Sequence, residues 1–353
     1  MYITTELTPW DKATLISIGH AMVDPELQTE EYVGRSTAGP GAGGRSVFFT
    51  DGKRRVRVSI KNPNGAPLGA PDRTDEKDFF IQNESPLRIR KENGGVVIER
   101  NGEILAKGSL EPVGAHCPQQ AYITVSEQCA FHCAFCPVPR LNGQIKSREQ
   151  ILSMIDQVYL SGDLRAISLT GGVTETPEKE LDRMKGLVKD LVREYDVPIG
   201  VSVYPTPGSS EELYAAGAHE IKYNVETMDP VLFSRFCPDL GLDHILNELK
   251  HAVPIYGKNR VSSNMIIGLG ESDETVILGA QNLASIGVLP VLRAISVNPD
   301  YPLEGASRPS AERLYHLAQS LKKILEDYNL SPLHARTMCL PCTGCDLIPG
   351  RDL

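Results

Sequence analysis

Eight cysteines are the residues of this chain best able to do chemistry, and their spacing sorts them. They stand at positions 117, 129, 133, 136, 237, 339, 342 and 345. Six fall into two tight groups, Cys129-x3-Cys133-x2-Cys136 and Cys339-x2-Cys342-x2-Cys345. A disulfide framework spreads its cysteines along a small secreted chain, whereas triads this tight gather thiolates around one metal centre in a reducing compartment. Three thiolates on one loop suit three irons of a [4Fe-4S] cube and leave the fourth iron open to another ligand. Zinc asks for four ligands, and the near candidate His132 lies inside the loop rather than at finger spacing. The second triad copies the start of a bacterial ferredoxin run, but Pro349 stands where that run has its fourth cysteine. A second cluster therefore needs a remote ligand or keeps an open iron. Cys117, beside His116, is the candidate ligand. The competing reading is a zinc knot pinning the tail. Cys237 reads as an inert buried thiol.

Such loops need a scaffold, and the hydrophobic rhythm describes one. Strand-like stretches at 121–125, 166–169, 199–203, 220–225, 263–267 and 292–296 alternate with helical ones at 147–161, 179–195, 210–216, 243–252, 275–286 and 310–328. This alternation implies right-handed βαβ crossovers and a parallel sheet covered by helices. Six units fall short of the eight in a closed barrel. The expected fold class is α/β, with a partial, open (β/α)6 barrel over residues 117–330. Residues 1–116 have another texture. Thr8-Pro9 opens a short helix. Val56, Val58 and Ile60 alternate with polar residues as in a half-buried strand. Asn93-Gly94 and Asn101-Gly102 read as hairpin turns. An N-terminal antiparallel β-rich appendage is expected there, and a C-terminal cluster-binding tail over 331–353. The glycine-rich stretch 39–44 precedes a strand, not a helix, so it reads as a linker rather than a phosphate loop. The run Lys53-Arg54-Arg55-Val56-Arg57 reads first as the solvated face of a strand and second as a dock for an acidic carrier protein.

The first triad follows the first expected barrel strand, with Phe135 just before Cys136. A Cys-x3-Cys-x-aromatic-Cys loop at that place in a sixfold βα chain resembles the radical S-adenosylmethionine (radical SAM) superfamily. The resemblance implies a [4Fe-4S] cluster on Cys129, Cys133 and Cys136, with S-adenosyl-L-methionine chelating its open iron. It implies that Gly171 and Gly172 lie against the SAM amino group, although Val173 stands where the family has glutamate. Asn224 and Glu226, at the end of the fourth strand, take positions that bond the ribose. Gly268 opens a Gly-x-x-Glu stretch near the adenine. Arg293 takes the SAM carboxylate or a place beside a second cluster. Away from the family, the Gly-Gly pair is an ordinary βα turn and Asn224 to Thr227 a strand end with its cap. The chemistry implied is reductive cleavage of SAM to a 5′-deoxyadenosyl radical that removes hydrogen from an unactivated carbon.

With the second triad, the likeness narrows to the biotin synthase and lipoyl synthase branch, carried by Asn224-Val-Glu-Thr and Gly268-Leu-Gly-Glu-Ser. Length and a C-terminal cluster resemble the two-component lipoyl synthases. The expected activity is that of a sulfurtransferase, inserting sulfur from an auxiliary [4Fe-4S] cluster into a C–H bond of an octanoyl group. A dehydrogenase, mutase or methylase whose auxiliary cluster moves electrons or anchors substrate is the alternative. A two-cluster electron carrier or zinc-stabilised binding module is the non-enzymatic one. The single-chain lipoyl synthases are excluded, since their N-terminal three-cysteine motif and Arg-Ser-Ser-Tyr tail are missing. Expected partners are an octanoylated carrier protein or peptide, a low-potential reductant such as ferredoxin or flavodoxin, and a sister radical SAM protein. No stretch approaches the roughly 20 apolar residues of a membrane span, and the start lacks a signal pattern. The net charge of −9 argues against nucleic acid. A cytoplasmic protein is expected.

Overall fold

The computed structural model describes residues 6–61, 85–92, 94–113, 119–160, 162, 164–296 and 303–353. Cys117 and His116 lie outside the described residues. Helix α1 (Pro9–Ile18) opens as expected: Thr8 Oγ1 accepts from Asp11 N at 3.1 Å and the Asp11 carboxylate accepts from Thr8 N at 3.0 Å. This reciprocal capping satisfies two orphan amides of the first turn. Seven strands follow: β1 (His20–Val23), β2 (Gly34–Arg35), β3 (Arg45–Thr50), β4 (Arg55–Ile60), β5 (Leu87–Glu92), β6 (Gly95–Arg100) and β7 (Glu103–Leu110). Their order is β2-β3-β4-β1-β5-β6-β7, and β7 returns to pair with β3, so six strands close into a ring. Val47, Phe49, Val58, Ile89 and Ile98 fill it. Asn101 and Gly102 take positive φ at 52° and 86° in the β6–β7 hairpin, as its two-residue turn requires.

The appendage is not wholly antiparallel. β1 follows a helix rather than a hairpin and lies parallel to β4 with its first half and to β5 with its second. The basic run is not a solvated face either. Val56 and Val58 enter the ring, and the opposite face of β4 is covered by the C-terminal tail. Arg57 N donates to Gly344 O at 2.7 Å, and buried Arg55 pairs with Glu111. Period-2 alternation shows that Arg55 and Arg57 share a face but not whether that face is covered.

The second unit is the expected barrel. β8 (Gln120–Ser126), α2 (Arg148–Tyr159), β9 (Ala166–Gly171), α3 (Pro177–Glu194), β10 (Ile199–Ser202), α4 (Ser209–Ala216) and β11 (Glu220–Lys222) come first. Then α5 (Pro230–Phe236), α6 (Leu242–Tyr256), β12 (Val261–Ile267), α7 (Asp273–Ser285), β13 (Leu289–Ala294) and α8 (Ala311–Asp327) complete it. The six strands run parallel in chain order, β8 to β13. β13 starts earlier than expected and includes Pro290, which an edge strand tolerates because one row of its amides bonds nothing in the sheet. β11 stops early because Val225 N turns to Ser263 Oγ at 3.0 Å instead of a backbone partner. Glu226 then rejoins β12 by a single bridge to Met265. Among the described residues, no helix is long and apolar enough to cross a membrane.

The tail, with its short helix α9 (Cys339–Cys342), threads between the two units. Ser168, Gly200 and Glu220 form one row across β9, β10 and β11. Ser168 Oγ accepts from Met338 N at 2.8 Å, and the Glu220 carboxylate accepts from Arg336 N and Thr337 N at 2.8 and 2.9 Å. A Cβ on Gly200 would sit 2.1 Å from Thr337 Oγ1, so only glycine lets the tail pass. At the far end Lys12 Nζ meets Asp352 Oδ1 at 2.7 Å with both side chains buried. Burial lowers the Lys12 pKa against the pull of Asp352. Replacing Asp352 with asparagine leaves that ammonium without its counter-charge, and urea unfolding should show a loss of about 3–5 kcal/mol. An unchanged midpoint would show that the pair does not hold the tail.

Candidate active site

Cys133 and Cys136 of the first triad and all three cysteines of the second line one cavity of about 490 Å³. Its walls are the inward side chains of the barrel strands, among them Tyr122, Thr170, Ser202, Lys222, Asn264 and Arg293. The N-terminal unit closes its far side. The stretch 39–44, expected as a linker, gives Gly39 and Gly41 to the wall and is tied to Ser36 before it: Ser36 N donates to Gly44 O and Gly43 N to Ser36 O, at 3.0 and 2.8 Å.

The first triad loop is pinned before any cofactor is considered. Ala130 N donates to Val173 O at 2.7 Å, and Ala134 N to Phe236 O at 2.8 Å. Phe131 packs edge-on against Tyr204, with centroids 5.1 Å apart. His132 is 76% exposed and bonds Asp239 rather than facing the cysteines, which removes it as a zinc ligand. Gly172 is required by the loop itself, since a Cβ there would lie 2.2 Å from Gln128 O and 2.8 Å from the Cys129 Cβ. At Gly171 the Cβ would meet Glu180 Oε1 at 2.8 Å. That carboxylate accepts from Ser126 Oγ at 2.8 Å and pairs with Arg183 beneath the turn. Phe135 is buried and lines the cavity with Cys133 and Cys136. Burial raises the thiol pKa of Cys129 and pushes that of Cys136 up to about 12. A metal centre must therefore displace the protons it replaces. Cys237 is buried, as read, but its thiol hydrogen-bonds Cys133 rather than standing apart.

Asn224 and Glu226 both line the cavity, just past the end of β11; Glu226 has a left-handed φ of 59°. Burial raises the Glu226 pKa to about 7, outweighing Lys222 and Asn224. Gly268, with φ 111°, approaches Ser307 O so closely that a Cβ would be 2.1 Å away. The carboxylate of Glu271 bonds Gly268 N and Leu269 N at 2.8 Å each and pairs with Arg313, so it braces the loop. Arg293 forms a two-point pair with Asp346, Nε–Oδ1 3.0 Å and Nη2–Oδ2 2.5 Å, which places it beside the second triad.

The second triad meets a different field. Cys339 and Cys342 are buried in α9, between Met338 and Thr343, both with positive φ. Burial raises the Cys339 pKa, but Arg293 and Lys222 overcome it and lower the net value. Lys222 Nζ lies 3.6 Å from Cys339 Sγ. Thiols held near cations inside a cavity are a donor set fit for an iron–sulfur centre. Among the described residues, no group of three or more His, Cys, Asp or Glu is gathered closely enough for a single metal ion. A cube holds its thiolates at wider corners than one ion does.

The sequence alone did not single out Lys222, Tyr122 or Asn264. Asn264 Oδ1 is a buried acceptor on the cavity wall with no hydrogen-bond partner, which marks a place for a donor on a bound molecule. Its strand periodicity was the available signal, since it shares a face with Ile266.

Two outcomes follow. Gly172→Ala should cost the reconstituted chain roughly four irons, while Gly186→Ala, where a Cβ meets open space, leaves the iron count unchanged. Glu226 is held neutral below about pH 7. Its folded pKa is above its unfolded value, so ionisation weakens the fold as pH rises through 7. Between pH 6 and 8, the iron-free chain should lose on the order of 1 kcal/mol relative to Glu226→Gln in urea denaturation. Parallel curves would show that this carboxyl is not buried in the cavity.

Comparison with known proteins agrees with this architecture. The model of the radical SAM superfamily matches residues 123–278. GTP 3′,8-cyclases from Gloeobacter violaceus and Trichormus variabilis are 28% and 23% identical over 128 and 126 residues, 35% and 34% of this chain. The match spans 38% of each cyclase's own length. Methylornithine synthase superposes with a TM-score of 0.53 at 19% identity, covering 62% of this chain and 64% of that one. The FeFe-hydrogenase maturase HydG from Carboxydothermus hydrogenoformans gives 0.52 at 19%, covering 64% and 57%. The relatives found by sequence bear the name of a cyclase, so the narrower likeness to lipoyl synthases finds no support in them. The cysteine loop, the six parallel strands and the matched segment agree: this chain carries a radical SAM superfamily domain in residues 123–278.

Proposed function

We propose that the chain is a radical SAM enzyme with two [4Fe-4S] clusters, and that its substrate is a polar, anion-bearing small molecule held between them. The observation that carries this reading is one cavity lined by Cys133 and Cys136 of the first triad and by the whole of the second. When bound, the first cluster supplies an electron that cleaves SAM into methionine and a hydrogen-abstracting 5′-deoxyadenosyl radical. The chain's own residues do the rest. Cys129, Cys133 and Cys136 would hold that cluster, while Gly171, Gly172, Asn224, Glu226 and the unpaired Asn264 Oδ1 shape the place for SAM. Cys339, Cys342 and Cys345 would hold the second cluster, with Lys222 and Arg293 balancing its charge. The pinned loop and the cover of the N-terminal unit keep water from the reacting carbon.

The substrate class follows from the walls. Ten charged side chains line the cavity, six of them cationic: Arg35, Arg57, Lys146, Lys222, Arg293 and Arg308. An octanoyl chain offers these groups no polar partner, and among the described residues only Lys146 and Arg293 already have an ion-pair partner, Glu127 and Asp346. Sulfur insertion into an octanoylated carrier is therefore the weaker reading, and substrate anchoring or electron transfer at the second cluster the stronger. A nucleotide such as the one named for the cyclases has the right polarity and charge.

Anaerobic reconstitution should give about eight irons per chain and release 5′-deoxyadenosine with SAM and reductant. Cys339→Ala/Cys342→Ala should keep about four irons and the nucleoside release. Bound zinc in place of the second set of irons refutes the two-cluster reading. A thiolated product from an octanoyl-lysine peptide restores sulfur insertion.

A further inference from the structure

A second opening lies behind the tail, a cleft of about 860 Å³ that shares only Glu111 with the lining of the candidate active site. It is lined where β8 and β9 begin, by the β3–β4 turn and by the tail from both sides of α9. Six of its lining residues are cationic: Lys53, Arg54, Arg55, Arg165, Arg336 and Arg351. The two lining acids are already matched, Glu111 by Arg55 and Asp352 by Lys12. Arg165 and Arg336 are exposed and form no ion pair among the described residues. Lys53 has only a loose contact of 3.7 Å to Glu6, with both side chains largely in solvent. On a chain of net charge −9, this is a local reversal of sign.

The second observation concerns the wall. Pro341 and Thr343 line the cleft, while Cys342 between them lines the catalytic cavity. The cysteine-bearing loop is thus part of the partition between the two openings, with Cys342 toward one and its neighbours toward the other. It is braced by Lys12 Nζ on Thr343 O at 2.6 Å and by Arg55 on Cys342 O. A positive surface attracts many anions, but one that ends on the loop of a redox centre suits an electron donor above all.

We propose that this cleft docks an acidic, low-potential electron-transfer protein, which delivers electrons to the second cluster from the side opposite the substrate. The inference rests on the two-cluster reading above. In each transfer a reduced flavin donor goes from hydroquinone to semiquinone, and its one electron enters the cluster on Cys339, Cys342 and Cys345. Cations on the β3–β4 turn, the barrel floor and the tail would steer the partner by charge, an effect that salt screens.

The test uses the reconstituted full chain, a purified flavodoxin as probe, and the variant Arg165→Glu/Arg336→Glu. Both residues are exposed, so the fold should survive, and Lys322→Glu on the exposed side of α8 is the control. The expected result is a Kd for flavodoxin raised about tenfold in the double variant and unchanged in the control, with wild-type binding weakening as salt rises. Reduction of the second cluster, followed by electron paramagnetic resonance, should slow with flavodoxin and stay at the wild-type rate with dithionite. Equal flavodoxin affinity in both proteins overturns the proposal. So does binding of inorganic tripolyphosphate that the double variant loses while flavodoxin binding persists, which would make the cleft a small-polyanion site. A chain that holds only four irons even as wild type defeats the two-cluster reading instead, and the binding comparison still reports on the dock.

Discussion

Lys12 and Asp352 stand 340 residues apart and meet in a buried ion pair. Removing an ammonium from water is costly, and the cost is recovered only if a carboxylate and other acceptors are in place. Here they are: Lys12 also donates to Thr343 O, and the Asp352 carboxylate accepts from Ile348 N at 2.8 Å. Arg54 reaches the same spot, its guanidinium bonding Asp352 O and Leu7 O. A half-made pair is worse than none. The tail therefore settles only when the N-terminal unit is docked, and the second triad takes shape only with both.

That dependence explains why the two triads share a chamber. Had the tail lain on the outside of the barrel, Cys339 and Cys342 would face solvent and the barrel floor would need large side chains. Instead Ser168, Gly200 and Glu220 leave room and supply acceptors, so the tail itself forms the floor. The fields at the two ends then differ. Burial, first among the causes, keeps the Cys129 and Cys136 thiols protonated, whereas Arg293 and Lys222 favour the thiolate at Cys339.

What could be read in advance was whatever local chemistry decides. The triad spacings, the N-cap at Thr8 and the alternation of strand and helix rest on neighbours a few residues away. The barrel was legible for that reason. The ring closure between β3 and β7 was not, because nothing in either strand names its distant partner. Arg55 and Arg57 misled in the same way: their alternation with valines is the pattern of a surface strand, and only the tail, nearly 290 residues on, covers them. Glu226 was a candidate from its place at the strand end, but its backbone was not legible. A non-glycine residue with positive φ is uncommon, and the turn of the chain there depends on Ser263 of the next strand, which takes Val225 N. At Gly172 the sequence suggested close approach of a ligand, whereas the structure gives the glycine a cause of its own, the crossing of the cysteine loop over its α-carbon.

Lys222 bears on whether the second triad is chemistry or a staple. It is 3% exposed, and its ammonium hydrogen-bonds the sulfur of Cys339. A neutral thiol is a poor partner for a buried cation, and Arg293 adds a second positive charge nearby, only partly offset by Asp346. A tail knot that merely fixed the C-terminus would sit at lower cost against apolar strands. The barrel instead spends two inward strand positions on cations, an arrangement that is favourable once the triad carries negative charge. Thiolates around an iron–sulfur centre would supply that charge, and the cavity lies beside them.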